Sequence, residues 1–299
     1  MIHFVGAGDL LAGVTHECDY PEGVESLPKL TSTSINQHAM SSAEIDAAVG
    51  KRLTDSDSIY SLDAGLLEEL EPDLVLTQGL CDVCAVSSNV VAQAAARLPK
   101  VPRVLSMNPT SLDEVLETAI EVGDAVGRGE EARERVTTCR ARLARVEEAV
   151  AELPERPRVG CIEWLDPPFS AGHWVPEMVR LAGGRGLFAE AGEPSARLSW
   201  EEVFEAGPEV VVLMPCGFGT TRTLREARIL PELPGWSDLP AVKSGRVWAV
   251  DANSHFSRPA PRLVEGVEIL ARILHPQAFP GALKPEEAVS LAAVDAARR

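Results

Sequence analysis

The residues with most chemistry to offer fall in loops that follow apolar, strand-like runs. His16-Glu17-Cys18-Asp19-Tyr20-Pro21 comes after the run Leu11 to Thr15. Gln78-Gly79-Leu80-Cys81-Asp82-Val83-Cys84 comes after Leu74-Val75-Leu76-Thr77. Cys81 and Cys84 stand at CxxC spacing, at which two thiolates can hold one metal ion or form a redox pair. Cys18 ends another strand of the same block, so three thiolates can converge. That is one short of a closed zinc site, which His16, Asp82 or an external ligand would complete; an iron–sulfur cluster is the other metal reading. Packing thiols without chemistry are the plain alternative.

A second group of loops follows the later strands. Glu163-Trp164-Leu165-Asp166-Pro167-Pro168-Phe169 and then Ser170-Ala171-Gly172-His173-Trp174 come after Val159 to Ile162. Pro215-Cys216-Gly217-Phe218 comes after Val210 to Met214, and Asp251-Ala252-Asn253-Ser254-His255-Phe256 after Arg246 to Val250. Aromatics exposed on rigid loops are costly unless they meet a ligand or partner, the alternative being a packed corner. In open α/β sheets such loops face the ligand crevice. The ligand-facing set is therefore His16, Glu17, Tyr20, Glu163, Trp164, His173, Trp174, Phe218, His255 and Phe256, with Cys18, Cys81 and Cys84 as the metal set. No Ser-His-Asp order, P-loop or GxGxxG is present, and no carboxylate pair stands out. The chain reads as a binder of an aromatic or metal-bearing ligand and not as an enzyme.

The elements that position these loops alternate between strand and helix. Between two such blocks, Glu130 to Leu153 predicts one long helix: Ala132, Val136, Cys139, Leu143, Val146, Val150 and Leu153 keep an apolar stripe on one face. Gly127 and Gly129 precede it and Pro154 ends it. About 24 residues at 1.5 Å each give roughly 36 Å, the width of a small domain. The expectation is α/β: two lobes on one rigid helix, with a ligand cleft between them; a crossover helix inside one large domain is the alternative. The divisions fall at 1–110 for the first lobe, 111–154 for the connecting helices, 155–275 for the second lobe and 276–299 for a tail of modest order. A helix rich in Glu, then Pro-acid, then an apolar strand and a Cys-bearing Gly loop occur in both blocks, an internal pseudo-repeat. Ile2, Val5 and Leu10 read as the end of a helix closed by Gly6 and Gly8, so a first strand is expected upstream of Met1.

Composition bounds the rest. The chain has 299 residues, is 45% hydrophobic and 24% charged, and carries a net charge of −17. That charge argues against nucleic acid, whose phosphates need Lys and Arg. No apolar run approaches the roughly 20 residues of a membrane span. No secretory leader is visible, and six cysteines including a CxxC favour a reducing, cytoplasmic compartment.

With these motifs in hand, the chain resembles the substrate-binding proteins of ABC importers for vitamin B12, ferric siderophores and haem, closest to the cobalamin branch. Gly13-Val14-Thr15-His16-Glu17-Cys18-Asp19-Tyr20-Pro21 is similar to that family's Gly-Val-x-x-x-x-Asp-Tyr-Pro, and Leu70-Glu71-Pro72-Asp73-Leu74-Val75 to its Leu-x-Pro-Asp-Leu-Val. Pro167-Pro168-Phe169 with Gly172, Ser199 to Val203, and Gly245-Arg246-Val247 also match. The resemblance implies a corrinoid ligand facing Tyr20 and the aromatics near Trp174 and Phe256, with His16, His173 or His255 able to give cobalt a nitrogen ligand. It also implies docking on a transporter permease through one Glu per lobe. Glu201 falls at that position in the second lobe, and Gly65 stands there in the first. The competing reading is a cytoplasmic metal or iron–sulfur protein using Cys18, Cys81 and Cys84.

Overall fold

A computed structural model describes residues 1–299 apart from 38, 56–58, 80–85, 87, 298 and 299; for 53–55 and 295–297 only the backbone is described. The chain divides into two compact units, one of Met1–Pro109 with Glu117–Arg135, the other of Thr110–Leu116 with Val136–Arg299.

The first unit opens on turns and not on the expected end of a helix. Gly6 sits at φ +76°, which interrupts any α run, and Gly8–Leu10 form a single 3₁₀ turn. The strand expected at Leu11 to Thr15 reduces to one bridge between Val14 and Lys29. Strand β1 (Thr31–Thr33) leads through helix α1 (Ser42–Asp55) to β2 (Tyr60–Leu62), which pairs with β1 antiparallel. α1 begins on a reciprocal cap: Ser41 N–H donates to the Glu44 carboxylate at 2.8 Å, and Glu44 N–H donates back to Ser41 Oγ at 3.4 Å. Helix α2 (Ala64–Leu70) starts on the Asp63 carboxylate and closes on Glu71 at φ +43°. β3 (Leu74–Gln78) crosses through α3 (Ser88–Ala95) to the parallel strand β4 (Arg103–Met107), in register from Leu74↔Arg103 to Gln78↔Met107.

Helices α4 (Leu112–Ala125) and α5 (Gly129–Ala151) contribute residues to both units. α5 is the long helix that its stripe predicts. Ala132, Val136, Cys139, Val146 and Val150 are buried along it. Arg142 reaches across to Glu268 with both guanidinium bonds, at 2.9 and 2.8 Å.

The second unit is built on β5 (Arg158–Leu165), which turns at Asp166–Pro167 into β6 (Pro168–Ser170) and then α6 (Val175–Leu181). The chain continues through β7 (Arg185–Gly186), α7 (Trp200–Ala206), β8 (Val210–Leu213), α8 (Thr220–Glu226), α9 (Pro240–Lys243) and β9 (Val247–Val250). It finishes with α10 (Ala252–His255), α11 (Leu263–Leu274), β10 (Ala288–Ser290) and α12 (Leu291–Ala297). The sheet order is β10-β9-β8-β5-β6, with β7 also on β5. β5, β8 and β9 are parallel, and β6 and β10 run antiparallel at the edges. Every residue of β8 is buried, as a central parallel strand covered on both faces requires. Ile162, Val211, Leu213, Val203, Leu230 and Trp236 share one core.

Two expectations are corrected here. Glu163, Trp164 and Leu165 are not a loop: they extend β5, because Trp164 pairs with Phe169 and Leu165 with Pro168 in a hairpin. The segment after 275 is not a loose tail: β10 pairs with β9 from Ala288↔Val250 to Ser290↔Trp248, a partner that no local pattern reveals. The pseudo-repeat appears as a shared local geometry. α2 and α7 each start on a capping side chain and end on a left-handed residue, Glu71 or Gly207 (φ +54°), before Pro-acid and a parallel strand. Among the described residues no helix is long and apolar enough to cross a membrane.

Candidate functional site

At the C-terminal ends of β5 and β8 in the second unit, main-chain bonds tie the post-strand segments together. The Cys216 N–H donates to the Glu163 carbonyl at 3.1 Å. The Ala252 and Asn253 N–H groups both donate to the Phe218 carbonyl, at 3.0 and 3.2 Å. This brings Glu163, Trp164 and Phe218 together at one crest. The Trp164 and Phe218 rings lie 5.4 Å apart at a tilt of 53°. The Arg222 guanidinium also lies over the Phe218 ring, 4.2 Å from its centroid, and pairs with Glu226 at 3.3 Å. Phe218 is thus enclosed, while Trp164 and Glu163 stay partly exposed.

A second cluster sits beside it. Trp174 and Phe256, both expected to face a ligand, are buried against each other, at 4% and 2% exposure. The Trp174 indole N–H donates to the Phe256 carbonyl at 2.7 Å. His173 precedes this anchor, its ring 5.6 Å from the Trp174 ring and its burial holding the imidazole below the usual histidine range. His255 is buried at the end of α10, with Nδ1 3.4 Å from the Glu265 carboxylate and off hydrogen-bonding geometry. Burial first, and then the Arg262 charge, lower its pKa.

In the first unit the His16 loop is a hydrogen-bonded chain. Thr31 Oγ1 accepts the His16 main-chain N–H at 3.1 Å and lies 2.7 Å from its Nδ1. His16 Nε2 lies 3.4 Å from the Glu17 carboxylate, which accepts the Gln37 amide at 2.9 Å. The Tyr60 ring is 5.4 Å from the imidazole. Nδ1 is thus hydrogen-bonded, while Nε2 is buried without a hydrogen bond among the described residues. Tyr20 stands out from this loop at 62% exposure. Thr31, Gln37, Tyr60 and Arg222 are missing from the sequence-derived set. Each contacts a member of it from a distant segment, and spacing carries no signal for that.

Of the expected metal set, Cys18 alone lies among the described residues. Cys81 and Cys84 lie outside the described residues. Cys18 Sγ is 3.3 Å from Thr15 Oγ1, and its carbonyl accepts Lys29 Nζ at 3.1 Å. Burial pushes the Cys139 thiol up and the Cys161 thiol up to about 12, so both stay protonated packing groups. Among the described residues no three His, Cys, Asp or Glu side chains converge on a point able to hold a metal ion. Neither the zinc nor the iron–sulfur reading finds support.

Comparison with known proteins places this geometry. The periplasmic binding protein family model matches residues 28–253, and the chain belongs to that family. It is 24% identical to an uncharacterized ABC transporter substrate-binding lipoprotein, YvrC, of Bacillus subtilis, over 92% of this chain and 76% of that one. It is 30% identical to a cobalamin-binding protein of Halobacterium salinarum, over 56% of this chain and 45% of the relative, so this match spans under half of that protein. The fold matches the crystal structure of the periplasmic vitamin B12 binding protein BtuF of Vibrio cholerae. The TM-score is 0.67 at 19% identity, covering 94% of this chain and 93% of that one. The chain is thus a substrate-binding protein of the ABC-importer class, whose members take a small-molecule ligand and serve a transporter. This overturns the cytoplasmic location inferred from the thiols: the family is periplasmic and a relative is a lipoprotein. Cysteine count reports redox compartment only when the thiols are accessible, and Cys139 and Cys161 are buried.

Proposed function

We propose that this protein captures cobalamin or a related corrinoid for import and hands it to an ABC transporter permease. The observation that carries the reading is the crest at the strand ends of the second unit, where Trp164 stands half-exposed on the enclosed Phe218 ring at 5.4 Å. A flat macrocycle gains most from a rigid aromatic edge whose own position is fixed beforehand. The cobalamin-binding relative at 30% identity supports the choice of a corrinoid among metal chelates. Within the first unit, Tyr20 is the exposed aromatic beside the His16 network and a candidate ligand contact there. Glu201, exposed in the first turn of α7, is the transporter-facing carboxylate of the second unit.

Equilibrium dialysis against cyanocobalamin, haemin and a ferric hydroxamate tests this. Saturable, tightest binding of cyanocobalamin is expected. Preference for haemin or the hydroxamate would reassign the ligand within the family.

A further inference from the structure

Of the three imidazoles expected to face a ligand, His173 is the one that is partly exposed and makes no ring-nitrogen hydrogen bond or ion pair with the described residues. His16 directs Nδ1 to Thr31 and Nε2 toward Glu17. His255 is buried, with Nδ1 3.4 Å from the Glu265 carboxylate and without a hydrogen bond. No described residue bonds the His173 ring nitrogens, and the residue is partly covered.

The backbone around His173 is held in a costly shape. His173 lies at φ +52°, in the left-handed region, where a side chain costs on the order of 1 kcal/mol or more. It is kept there by two main-chain bonds to one neighbouring segment. The His173 N–H donates to the Glu193 carbonyl at 2.6 Å, and the His173 carbonyl accepts the Gly192 N–H at 2.9 Å. The residue before it must be glycine: a Cβ on Gly172 would lie 2.5 Å from the Ser195 nitrogen and 2.6 Å from the Pro194 carbonyl carbon. The residue after it, Trp174, is anchored through its indole to Phe256. Packing alone would be met as well by glycine at position 173, without the strain. The strained backbone instead fixes an imidazole against an anchored indole.

We infer that His173 is the axial nitrogen ligand that the protein offers to the metal centre of its cargo. The inference rests on the corrinoid reading, in which that metal is cobalt, a partner imidazole suits. The step is a ligand exchange: water leaves cobalt(III), the neutral imidazole nitrogen donates its lone pair to form the Co–N bond, and no electron moves. Burial favours the neutral ring, the form that carries the donor lone pair.

The test follows the visible spectrum of aquocobalamin, whose water exchanges, on adding purified protein, with dialysis run in parallel. Wild type is expected to shift the bands to those of an imidazole-ligated corrinoid. With dicyanocobinamide, whose axial positions are blocked, it is expected to bind without that shift. His173→Asn accepts the left-handed backbone but lacks imidazole; it is expected to lose the shift and to bind aquocobalamin about tenfold or more weakly. Free imidazole added to His173→Gly is expected to restore the shift. Dialysis showing aquocobalamin bound by wild type with unshifted bands would overturn the role of His173 and leave the corrinoid reading standing. Absence of corrinoid binding altogether would overturn both.

Discussion

Trp174 and Phe256 hold each other by a buried bond, the indole N–H of one to the main-chain carbonyl of the other at 2.7 Å. Both rings are thereby withdrawn from solvent, so their role is to fix the ends of α6 and α10. Trp174→Phe keeps most of the apolar contact and removes the donor. It should cost about 1–3 kcal/mol, because the Phe256 carbonyl is left buried without a partner. Urea unfolding measures this; an unchanged midpoint would show that water satisfies the carbonyl.

Trp164 should behave in the opposite way. It stacks on Phe218 from a partly exposed position, so Trp164→Ala is expected to weaken corrinoid binding by roughly tenfold or more, the cost typical of a central aromatic anchor. The loss of stability should be smaller than for Trp174→Phe. Calorimetric titration paired with unfolding curves separates the two effects.

The two left-handed helix ends make a matched pair. Glu71 occupies at φ +43° the place that Gly207 occupies at φ +54°. Glu71→Gly should stabilise the first unit by up to about 1 kcal/mol, and Gly207→Ala should destabilise the second by about the same amount. Equal and same-signed changes in thermal midpoint would contradict this account.

Acid should destabilise the fold through His255. Burial and the Arg262 charge hold its folded pKa below the usual value, while Glu265, Asp251 and Glu287 pull it back up. The unfolded chain therefore takes up a proton near the ordinary value of about 6.5 while the native chain does not. Stability is full above that pH and falls as pH drops from it toward the lower folded value. His173, lowered by burial, adds in the same sense. His255→Gln should flatten the slope of stability against pH in that window, read from denaturant midpoints at half-unit steps.

Glu201 tests the transporter side. Its side chain is exposed and outside the capping pair of Ser199 and Glu202, so Glu201→Lys should leave folding and corrinoid affinity unchanged. On the docking role proposed for Glu201, uptake by cells carrying the cognate transporter should fall severalfold, because the charge at the contact has been reversed.

What the sequence made legible was mostly local. The α5 stripe depends on neighbours within four residues and appears in the structure. β3, β8 and β9 were legible as apolar runs. What remained hidden depends on distant partners: β10 on β9, the hairpin that absorbs Trp164, the Thr31 contact to His16, and Arg222 over Phe218. Aromatic residues after strands were read as facing outward. Their types suit ligand contact and burial equally, and only the Trp174–Phe256 bond decides between these.

The pairing of β10 with β9 couples the far end of the chain to the crest. The Asp251 N–H donates to the Glu287 carbonyl at 3.0 Å, and the Asp251 carboxylate in turn caps α10, which carries His255 and leads to Phe256. Strand β10 is therefore a prop under the segment that bears Phe256. Clipping or tagging the protein at this end disturbs more than a fringe: a protease cut before Ala288 loosens the seat of Trp174 from behind.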